Sequence, residues 1–195
     1  LCNLEDTLDL LLDRDSYKKQ LTLKKNMELQ HPKVYCDVLK IQEITMNLLS
    51  NAVKYTPEGG TIHFTIRELP YEREGYALFQ TVVEDTGIGI SKEYIPHLFE
   101  AFSREKSSSE SGIIGTGLGL RIVKKFVDLM EGSIVVESEI GEGTRFTVTI
   151  PHRIATANEY ISEENAKELP EEIKLNNVRI LLAEDNMLNA EIAMT

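Results

Sequence analysis

Two asparagines and a lysine recur at helical spacing in the segment VLKIQEITMNLLSNAVKYT, residues 38 to 56. Asn47 and Asn51 lie four residues apart and Lys54 follows, so on a helix the three side chains share one face. Amide oxygens can coordinate a hard cation such as Mg²⁺, and an ammonium group offsets phosphate charge. The spacing indicates a site for Mg²⁺ and phosphate, with a solvated polar face as the alternative. Glu43, one turn earlier, could join this set or be a surface glutamate.

The segment GTGLGL, residues 115 to 120, places three glycines directly before a helical pattern. Glycine lets backbone N–H groups approach an anion without hindrance from Cβ, and a helix beginning near Leu118 would direct its positive dipole end to the same place. The segment matches neither the GxGxxG fingerprint after a strand nor the GxxxxGK[ST] P-loop. Phosphate binding is therefore one interpretation, and a glycine-rich turn that caps a helix is the other.

Asp85 ends the apolar segment YALFQTVVED and is followed by Gly87 and Gly89 in DTGIGI. A carboxylate buried at that point needs a hydrogen-bond donor. The exocyclic amine of an adenine is one candidate donor, and a backbone N–H of the carboxylate's own turn is the other.

The segment SREKSSSESGIIG, residues 103 to 115, is polar and serine-rich, so we expect a mobile loop. Arg104 and Lys106 lie in it and could reach a terminal phosphate, although solvated loop charge is the default. Phe99 and Phe102, immediately before it in LFEAF, are expected to pack in the core rather than to contact a ligand.

The elements that must position these residues follow from hydrophobic periodicity. The segment 38–56 repeats apolar residues at helical spacing and contains neither glycine nor proline. Strands and helices elsewhere are predicted from the same rules, with helices at 2–15 and 118–130, and strands at 21–30, 34–37, 61–69, 76–85 and, as a hairpin, 133–151. Antiparallel runs interrupted by three helices indicate an α+β two-layer sandwich, a mixed, largely antiparallel sheet with helices on one face.

Composition excludes some partner classes. The 195 residues include 21 Lys and Arg against 32 Asp and Glu, a net charge of -11, which opposes binding to nucleic acid or an anionic membrane. No apolar segment reaches the roughly 18 residues that a membrane span needs. Cys2 and Cys36 form no CxxC pair and the 4 histidines form no ligand pair, so neither a disulfide framework nor a protein metal cage is expected.

Five segments in this order, NLLSNAVKYTPEGG, DTGIGI, LFEAF, GTGLGL and GEGTRFTV, resemble the ATP-binding catalytic domain of sensor histidine kinases, a branch of the Bergerat ATPase superfamily. The resemblance extends from residue 17 to residue 152. It implies the Bergerat ATP-binding fold, with ATP and Mg²⁺ as cofactors, and it assigns a role to each matching residue.

On the phosphate side, the resemblance implies that Asn47 and Asn51 handle Mg²⁺ and the phosphates, while Lys54 contacts the phosphate or ribose. On the adenine side, it implies that Tyr55 stacks near the base and that Asp85 accepts from its amino group. The remaining implied residues shape the pocket floor (Gly87, Gly89, Ile90), anchor or form the lid (Phe99, Phe102, Arg104), border the triphosphate (Gly115, Thr116, Gly117, Leu118, Gly119, Leu120) and complete the adenine end (Thr144).

The C-terminal segment ILLAEDN resembles the first strand and acidic turn of a response-regulator receiver domain, in which Glu184 and Asp185 would help to hold Mg²⁺. The predicted organisation is therefore a junction helix from a missing dimerisation region at 1–16, the catalytic domain at 17–152, a linker at 153–177 and the truncated start of a receiver domain at 178–195.

The resemblance implies a hybrid kinase that transfers the γ-phosphoryl group of ATP to a histidine on a dimerisation domain absent from this chain, because the only upstream candidate, His31, lies on a predicted turn. Its implied partners are that domain, the receiver in cis, and a response regulator or phosphotransfer protein. A cytoplasmic location is expected for this segment, with membrane anchoring of the whole protein left open. The alternatives are an ATPase coupled to conformational work, as in gyrase-like relatives, and a non-catalytic nucleotide-binding module.

Overall fold

The computed structural model describes residues 19–31, 33–100, 117–156 and 159. The elements in chain order are β1 (Thr22–Glu28), β2 (Val34–Tyr35), α1 (Val38–Tyr55), β3 (Thr61–Leu69), β4 (Tyr76–Asp85), a 3₁₀ helix (Ile95–His97), α2 (Gly119–Leu129), β5 (Ser133–Glu139) and β6 (Gly143–Ile154). The helices predicted at 38–56 and 118–130 and the predicted strands are all present in this part of the chain.

The strands form a six-stranded sheet in the order β1-β3-β4-β6-β2, with β5 also paired to β6. β1 runs parallel to β3, and the other described pairings are antiparallel. β6 is long enough to pair with β5 through its first half and with β2 through its last two residues. The prediction of a mixed, largely antiparallel sheet is confirmed.

The α-helices α1 and α2 cover one face of the sheet. On α1, Ile44, Leu48 and Leu49 recur at helical spacing and are buried, and on α2 the buried pair is Val123 and Val127. They pack in one core with alternate residues of the central strands, namely Ile62, Phe64, Val83, Phe146, Val148 and Ile150. Truncating one such leucine to alanine would cost about 2–5 kcal/mol, because the core collapses only partly around the cavity. The two-layer α+β architecture is thus confirmed.

Capping fixes where α1 begins and ends. The Asp37 carboxylate accepts the backbone N–H of Lys40 at 3.1 Å, which satisfies one of the unpaired donors of the first turn. At the other end, Thr56 is buried, and both its backbone N–H and its hydroxyl donate to Ala52 O. This defined end places Lys54 and Tyr55 in the last turn of the helix.

The chain divides into two compact units, Leu1–Ala155 and Thr156–Thr195. Several predictions lie outside the described residues: the helix at 2–15, the loop at 103–115 with Arg104 and Gly115, the flanking Phe102 and Thr116, most of the 153–177 linker, and the receiver-like segment with Glu184 and Asp185. In the part of the chain that the structure describes, no helix is both long enough and apolar enough to cross a membrane.

Candidate functional site

Asn47 directs its amide oxygen toward the beginning of α2. Its Nδ2 donates to Glu43 O at 2.8 Å and to Glu43 Oε1 at 3.0 Å, and these two acceptors assign the orientation of the amide. A Cβ atom placed on Gly119 would collide with Asn47 Oδ1. The amide oxygen therefore lies against the first residue of α2, and a larger residue at Gly119 would displace the Asn47 side chain.

The beginning of α2 presents backbone donors without a side-chain cap. Gly117 has φ 70°, a conformation that favours glycine, and Leu118 at the N-cap position has no side-chain acceptor. The first N–H groups of a helix lack intrahelical partners, and they carry the positive end of the helix dipole. Leu120, one residue into the helix, packs against the hydrophobic core and fixes the position of this turn. An anion could bind here next to Asn47 Oδ1.

The last turn of α1 carries a cation over an aromatic ring. Lys54 Nζ lies 4.9 Å from the centroid of the Tyr55 ring, within the range of a cation–π contact. Asn51 lies one turn earlier and is half-buried, as are Lys54 and Tyr55. The backbone carbonyl of Tyr55 accepts the N–H of Ile88 at 3.2 Å, which connects α1 to the segment that follows β4.

Asp85 is a buried carboxylate, 6% exposed, at the end of β4. Its Oδ1 accepts the N–H of Gly87 at 2.8 Å, so the interaction with its own turn, one of the two sequence-based alternatives, is present. Burial raises the pKa of Asp85 to about 6; the N–H groups of Gly87 and Thr144 lower it, and the neighbouring charge of Glu84 raises it. A carboxylate has about four acceptor positions. Acceptor capacity therefore remains for an external donor.

Two glycines after Asp85 are required by close backbone approach. A Cβ atom on Gly87 would collide with Asp85 Oδ1 and lie 2.8 Å from Tyr55 O. Gly89 has φ 70°, and a Cβ atom there would collide with Glu139 O in β5. The segment thus packs directly on the end of α1 and on the β5–β6 hairpin.

Ser138 connects this segment to Thr144, and sequence reasoning missed it. Its hydroxyl accepts the N–H of Ile90 at 2.8 Å, donates to Gly143 O at 2.7 Å and lies 2.9 Å from Thr144 Oγ1. Because a serine hydroxyl has a single hydrogen, donation to Gly143 O makes Thr144 the donor in the second contact. Thr144 Oγ1 then keeps acceptor lone pairs beside Asp85, its partner in the β4–β6 register.

A signal for Ser138 is present in the sequence. Ile134 and Val136 occupy alternate positions of β5 and pack against the core, and Ser138 is the next residue of that alternation. A polar residue at an inward position needs a partner.

The structure therefore brings together residues from four segments: α1, the residues after β4, the start of α2, and β6. Thr86 contributes a further contact that was not predicted, because its hydroxyl accepts the N–H of Thr61 at 2.9 Å and ties the Asp85 segment to β3. Phe99 is half-buried and follows buried Leu98 in the sequence, and its packing in the core stays a prediction. Its role as a lid anchor stays a prediction.

Comparisons with known proteins agree with this geometry. A family described as histidine kinase-, DNA gyrase B-, and HSP90-like ATPase matches residues 36–154. The autoinducer 2 sensor kinase/phosphatase LuxQ of Vibrio vulnificus is 36% identical over 159 residues, which are 82% of this chain and 18% of LuxQ. The chain thus spans less than a fifth of the length of that relative.

Two solved structures are similar over most of the chain. Full-length ShkA in complex with AMPPNP matches with a TM-score of 0.62 and 27% identity, covering 78% of this chain and 30% of ShkA. The catalytic domain of the histidine kinase ThkA matches with a TM-score of 0.63 and 26% identity, covering 77% of this chain and 91% of that domain. The chain belongs to the histidine kinase-, DNA gyrase B- and HSP90-like ATPase family, and within it to the ATP-binding catalytic domains of two-component sensor kinases.

Proposed function

We propose that this chain binds Mg·ATP between α1, α2 and the Asp85 segment, and that in the whole protein it transfers the γ-phosphoryl group to a histidine on a dimerisation domain outside the chain. The strongest support for the proposal is the environment of Asp85. This residue is a buried carboxylate with a raised pKa and spare acceptor capacity, in a cradle that side chains larger than glycine would fill. AMPPNP bound to ShkA, which has a similar fold, supports a nucleoside triphosphate as the ligand.

The adenine end would consist of Asp85, Thr144 and the ring of Tyr55. Ionised Asp85 is an acceptor for the exocyclic amine of adenine, and Thr144 Oγ1 adds acceptor lone pairs next to it. The half-buried Tyr55 ring and Ile90 supply apolar surface for the base. A ligand amine in contact with Asp85 would favour the ionised carboxylate, because it donates a hydrogen bond to the charged form.

The phosphate end would consist of Asn47, Asn51, Lys54 and the first turn of α2. Asn47 Oδ1 lies against Gly119, so an amide oxygen and the uncapped N–H groups of α2 are neighbours. Among the described residues no group of His, Cys, Asp and Glu side chains can hold a metal alone. The donors therefore fit a cation that shares its ligands with phosphate oxygens. When bound, Mg²⁺ would neutralise charge on those oxygens.

The contribution of this chain to catalysis would be positioning and charge stabilisation. An imidazole nitrogen of the partner domain attacks the γ-phosphorus, the P–O bond to ADP breaks, and the imidazole gives up its proton to solvent or to a base of that domain. In this scheme residues 103–116, which include Arg104, Gly115 and Thr116, would close over the phosphates as a lid that Phe102 anchors. The phosphoryl group then passes to a receiver domain that includes Glu184 and Asp185, or to a separate response regulator or phosphotransfer protein.

The experiment mixes the chain with a separately made helical hairpin that carries the acceptor histidine, together with Mg²⁺ and γ-labelled ATP. Label on the hairpin is the result we expect. Steady release of phosphate without labelled hairpin would indicate an ATPase coupled to conformational work. Binding without either reaction would indicate a nucleotide-binding module.

A matched pair of variants tests the magnesium and phosphate end. Asn51→Asp places a negative charge beside the phosphates and removes an amide donor, so it should weaken Mg·ATP binding by about a hundredfold. Asn26→Asp makes the same change on the exposed strand β1 and should leave the affinity within about twofold. Equal affinities for the two variants in calorimetry would contradict the assignment of Asn51.

A further inference from the structure

Lys19 lies three residues before β1, which begins at Thr22, and its side chain binds the C-terminal end of α1. Its ammonium group donates to Val53 O at 2.9 Å, to Lys54 O at 2.9 Å and to Thr56 O at 3.1 Å. An ammonium has three N–H donors, so all of them are used by these carbonyls. The side chain is partly buried, which limits competition from water.

These carbonyls need a partner. The last four C=O groups of a helix have no intrahelical donor, and they carry the negative end of the dipole. Helices often end at a glycine whose backbone satisfies such groups, whereas α1 ends at Thr56, in an extended conformation, followed by Pro57. The lysine replaces that backbone cap by a charged side chain from a distant part of the sequence.

Backbone contacts fix the position of Lys19. Gly59 N–H donates to Lys19 O at 3.0 Å, and Thr22 N–H donates to Gly60 O at 2.9 Å. Between them, Gln20 Nε2 donates to Glu58 Oε1 at 3.2 Å. The segment that carries the lysine is therefore held against the turn that follows α1.

The turn that Lys19 binds is the one that carries Lys54 and Tyr55. On its other side, the Tyr55 carbonyl accepts the Ile88 N–H at 3.2 Å, and Gly87 lies against that same carbonyl. The turn is thus held between the ammonium group of Lys19 and the segment after Asp85. Loss of the ammonium group would release the turn on one side, and with it the Lys54 ammonium and the Tyr55 ring.

We propose that Lys19 is a positioning residue for the nucleotide site, acting through the last turn of α1 on Lys54 and Tyr55. The inference rests on the proposed binding of Mg·ATP at that site. It assigns to Lys19 an effect on nucleotide affinity in the folded protein, in addition to any effect on stability.

The test compares Lys19→Met with Lys24→Met, a matched removal of a lysine from the exposed strand β1. Calorimetry with Mg·ATP, at a temperature where circular dichroism shows both variants folded, should give an affinity about tenfold lower for Lys19→Met, the size expected from losing charged hydrogen bonds. Lys24→Met should match the wild type. Lys19→Arg, which retains charge and donors, should restore most of the affinity.

A double-mutant cycle with Lys54→Met separates positioning from general destabilisation. When Lys54 is already absent, Lys19→Met should cost at most about threefold in affinity, because part of what it positions has been removed. An equal loss in both backgrounds, or unchanged affinity in Lys19→Met, would overturn the inference. Should Lys19→Met not fold, Lys19→Gln, which keeps two N–H donors, takes its place with the same criteria. A wild-type chain that binds no Mg·ATP would instead refute the proposed function.

Discussion

Strands β4 and β6 pair antiparallel, and one ionisable side chain is buried near each end of the pair. The residues that surround these two side chains differ. At one end Asp85 pairs with Thr144, and at the other Ala77 pairs with His152. Asp85 is 6% exposed and His152 is 7% exposed. Burial raises the pKa of Asp85 and lowers the pKa of His152, because in each case it disfavours the charged form.

The surroundings of the two groups explain why only one end is a candidate site. The His152 ring lies edge-on to Phe79, with ring centroids 5.4 Å apart, and it donates to the backbone carbonyl of Tyr35. Rings and guanidinium groups stack beside it: Arg153 lies 4.0 Å from the Tyr35 ring, and Arg73 lies 3.7 Å from the Tyr76 ring. Asp85 is surrounded by glycines and hydroxyl groups instead. A buried ionisable group thus indicates a ligand site only where acceptor capacity and space remain.

The largest effect is expected when the ionisable side chains of Asp85 and His152 are removed in turn and the affinity for Mg·ATP is measured. Asp85→Asn keeps an oxygen for the Gly87 N–H but places an NH₂ donor where the adenine amine needs an acceptor, so affinity for Mg·ATP should fall by about a hundredfold or more. His152→Phe should keep the affinity within about twofold, because that end lies outside the proposed nucleotide site and phenylalanine fills a similar volume. Calorimetry measures both, with circular dichroism as the control for folding. Comparable losses in the two variants would remove the distinction between the ends.

The next largest effect is expected for two glycines with positive φ, one near each end, whose replacement by alanine should lower the free energy of unfolding by different amounts. Gly143 has φ 113°, and a Cβ atom there would collide with the backbone oxygen of Asp85, whereas Gly75 has φ 74° and open space. Gly143→Ala should therefore lower the free energy of unfolding by about 2 kcal/mol, and Gly75→Ala by about 1 kcal/mol from conformational strain alone. Urea unfolding measures both. Equal costs would show that the Asp85 end can relax around an added methyl group.

Acidification should raise the contribution of Asp85 to the free energy of unfolding and lower the contribution of His152. Asp85 has a folded pKa of about 6, above the usual aspartate value of 3.8, so protonation favours the folded state and the free energy of unfolding falls as pH rises through this interval. Between about pH 6 and pH 5 the wild type should gain about 1 kcal/mol relative to Asp85→Asn. The pKa of His152 in the folded protein lies below the usual histidine value. The wild type should therefore lose stability relative to His152→Phe as pH falls below that usual value, because the unfolded chain then binds a proton that the folded protein does not. The measurement is urea unfolding at several pH values, and parallel profiles for all three proteins would contradict both signs.

The smallest effect concerns two non-glycine residues with positive φ, one near each end. Gln20 has φ 50° beside the turn after α1, and Glu131 has φ 56° and lies 3.7 Å from Arg73. Replacing either by glycine should raise the free energy of unfolding by about 0.5 kcal/mol, because left-handed strain is removed and only part of the gain is offset by a freer unfolded chain. Affinity for Mg·ATP should stay unchanged in Glu131→Gly. Destabilisation of either variant in urea unfolding would show that the native side chain contributes more than its strain costs.

The periodicity of apolar residues was sufficient to predict most helices and strands of the described fold. The helix predicted at 38–56 is α1 to within one residue, because its apolar repeat is uninterrupted and both ends carry capping residues. The strands at 61–69 and 76–85 were predicted with their observed bounds for the same reason. Spacing on one helix also grouped Asn47, Asn51 and Lys54, since residues three and four apart share a face.

What the sequence did not reveal depends on long-range pairing. Lys19 contacts carbonyls 34 to 37 residues away, and Ser138 contacts the N–H of Ile90 across 48 residues. Glu43, for which the sequence left open a surface position or a place beside Asn47, is exposed and also accepts from the Asn47 amide, so the two alternatives do not exclude each other. His152 continues the alternation of buried residues along β6 after Phe146, Val148 and Ile150, but it lies one residue beyond the predicted end of that strand at 151.

An NMR titration of the Asp85 side-chain carboxyl group, with and without saturating Mg·ATP, tests most directly whether this carboxylate binds adenine. The free protein should show a pKa of about 6 for this group, caused by burial. Bound nucleotide should lower that pKa, because the adenine amine donates to the ionised form, while the pKa of His152 stays where it was. An Asp85 pKa that is identical in the free and saturated protein would contradict the assignment of this carboxylate to adenine.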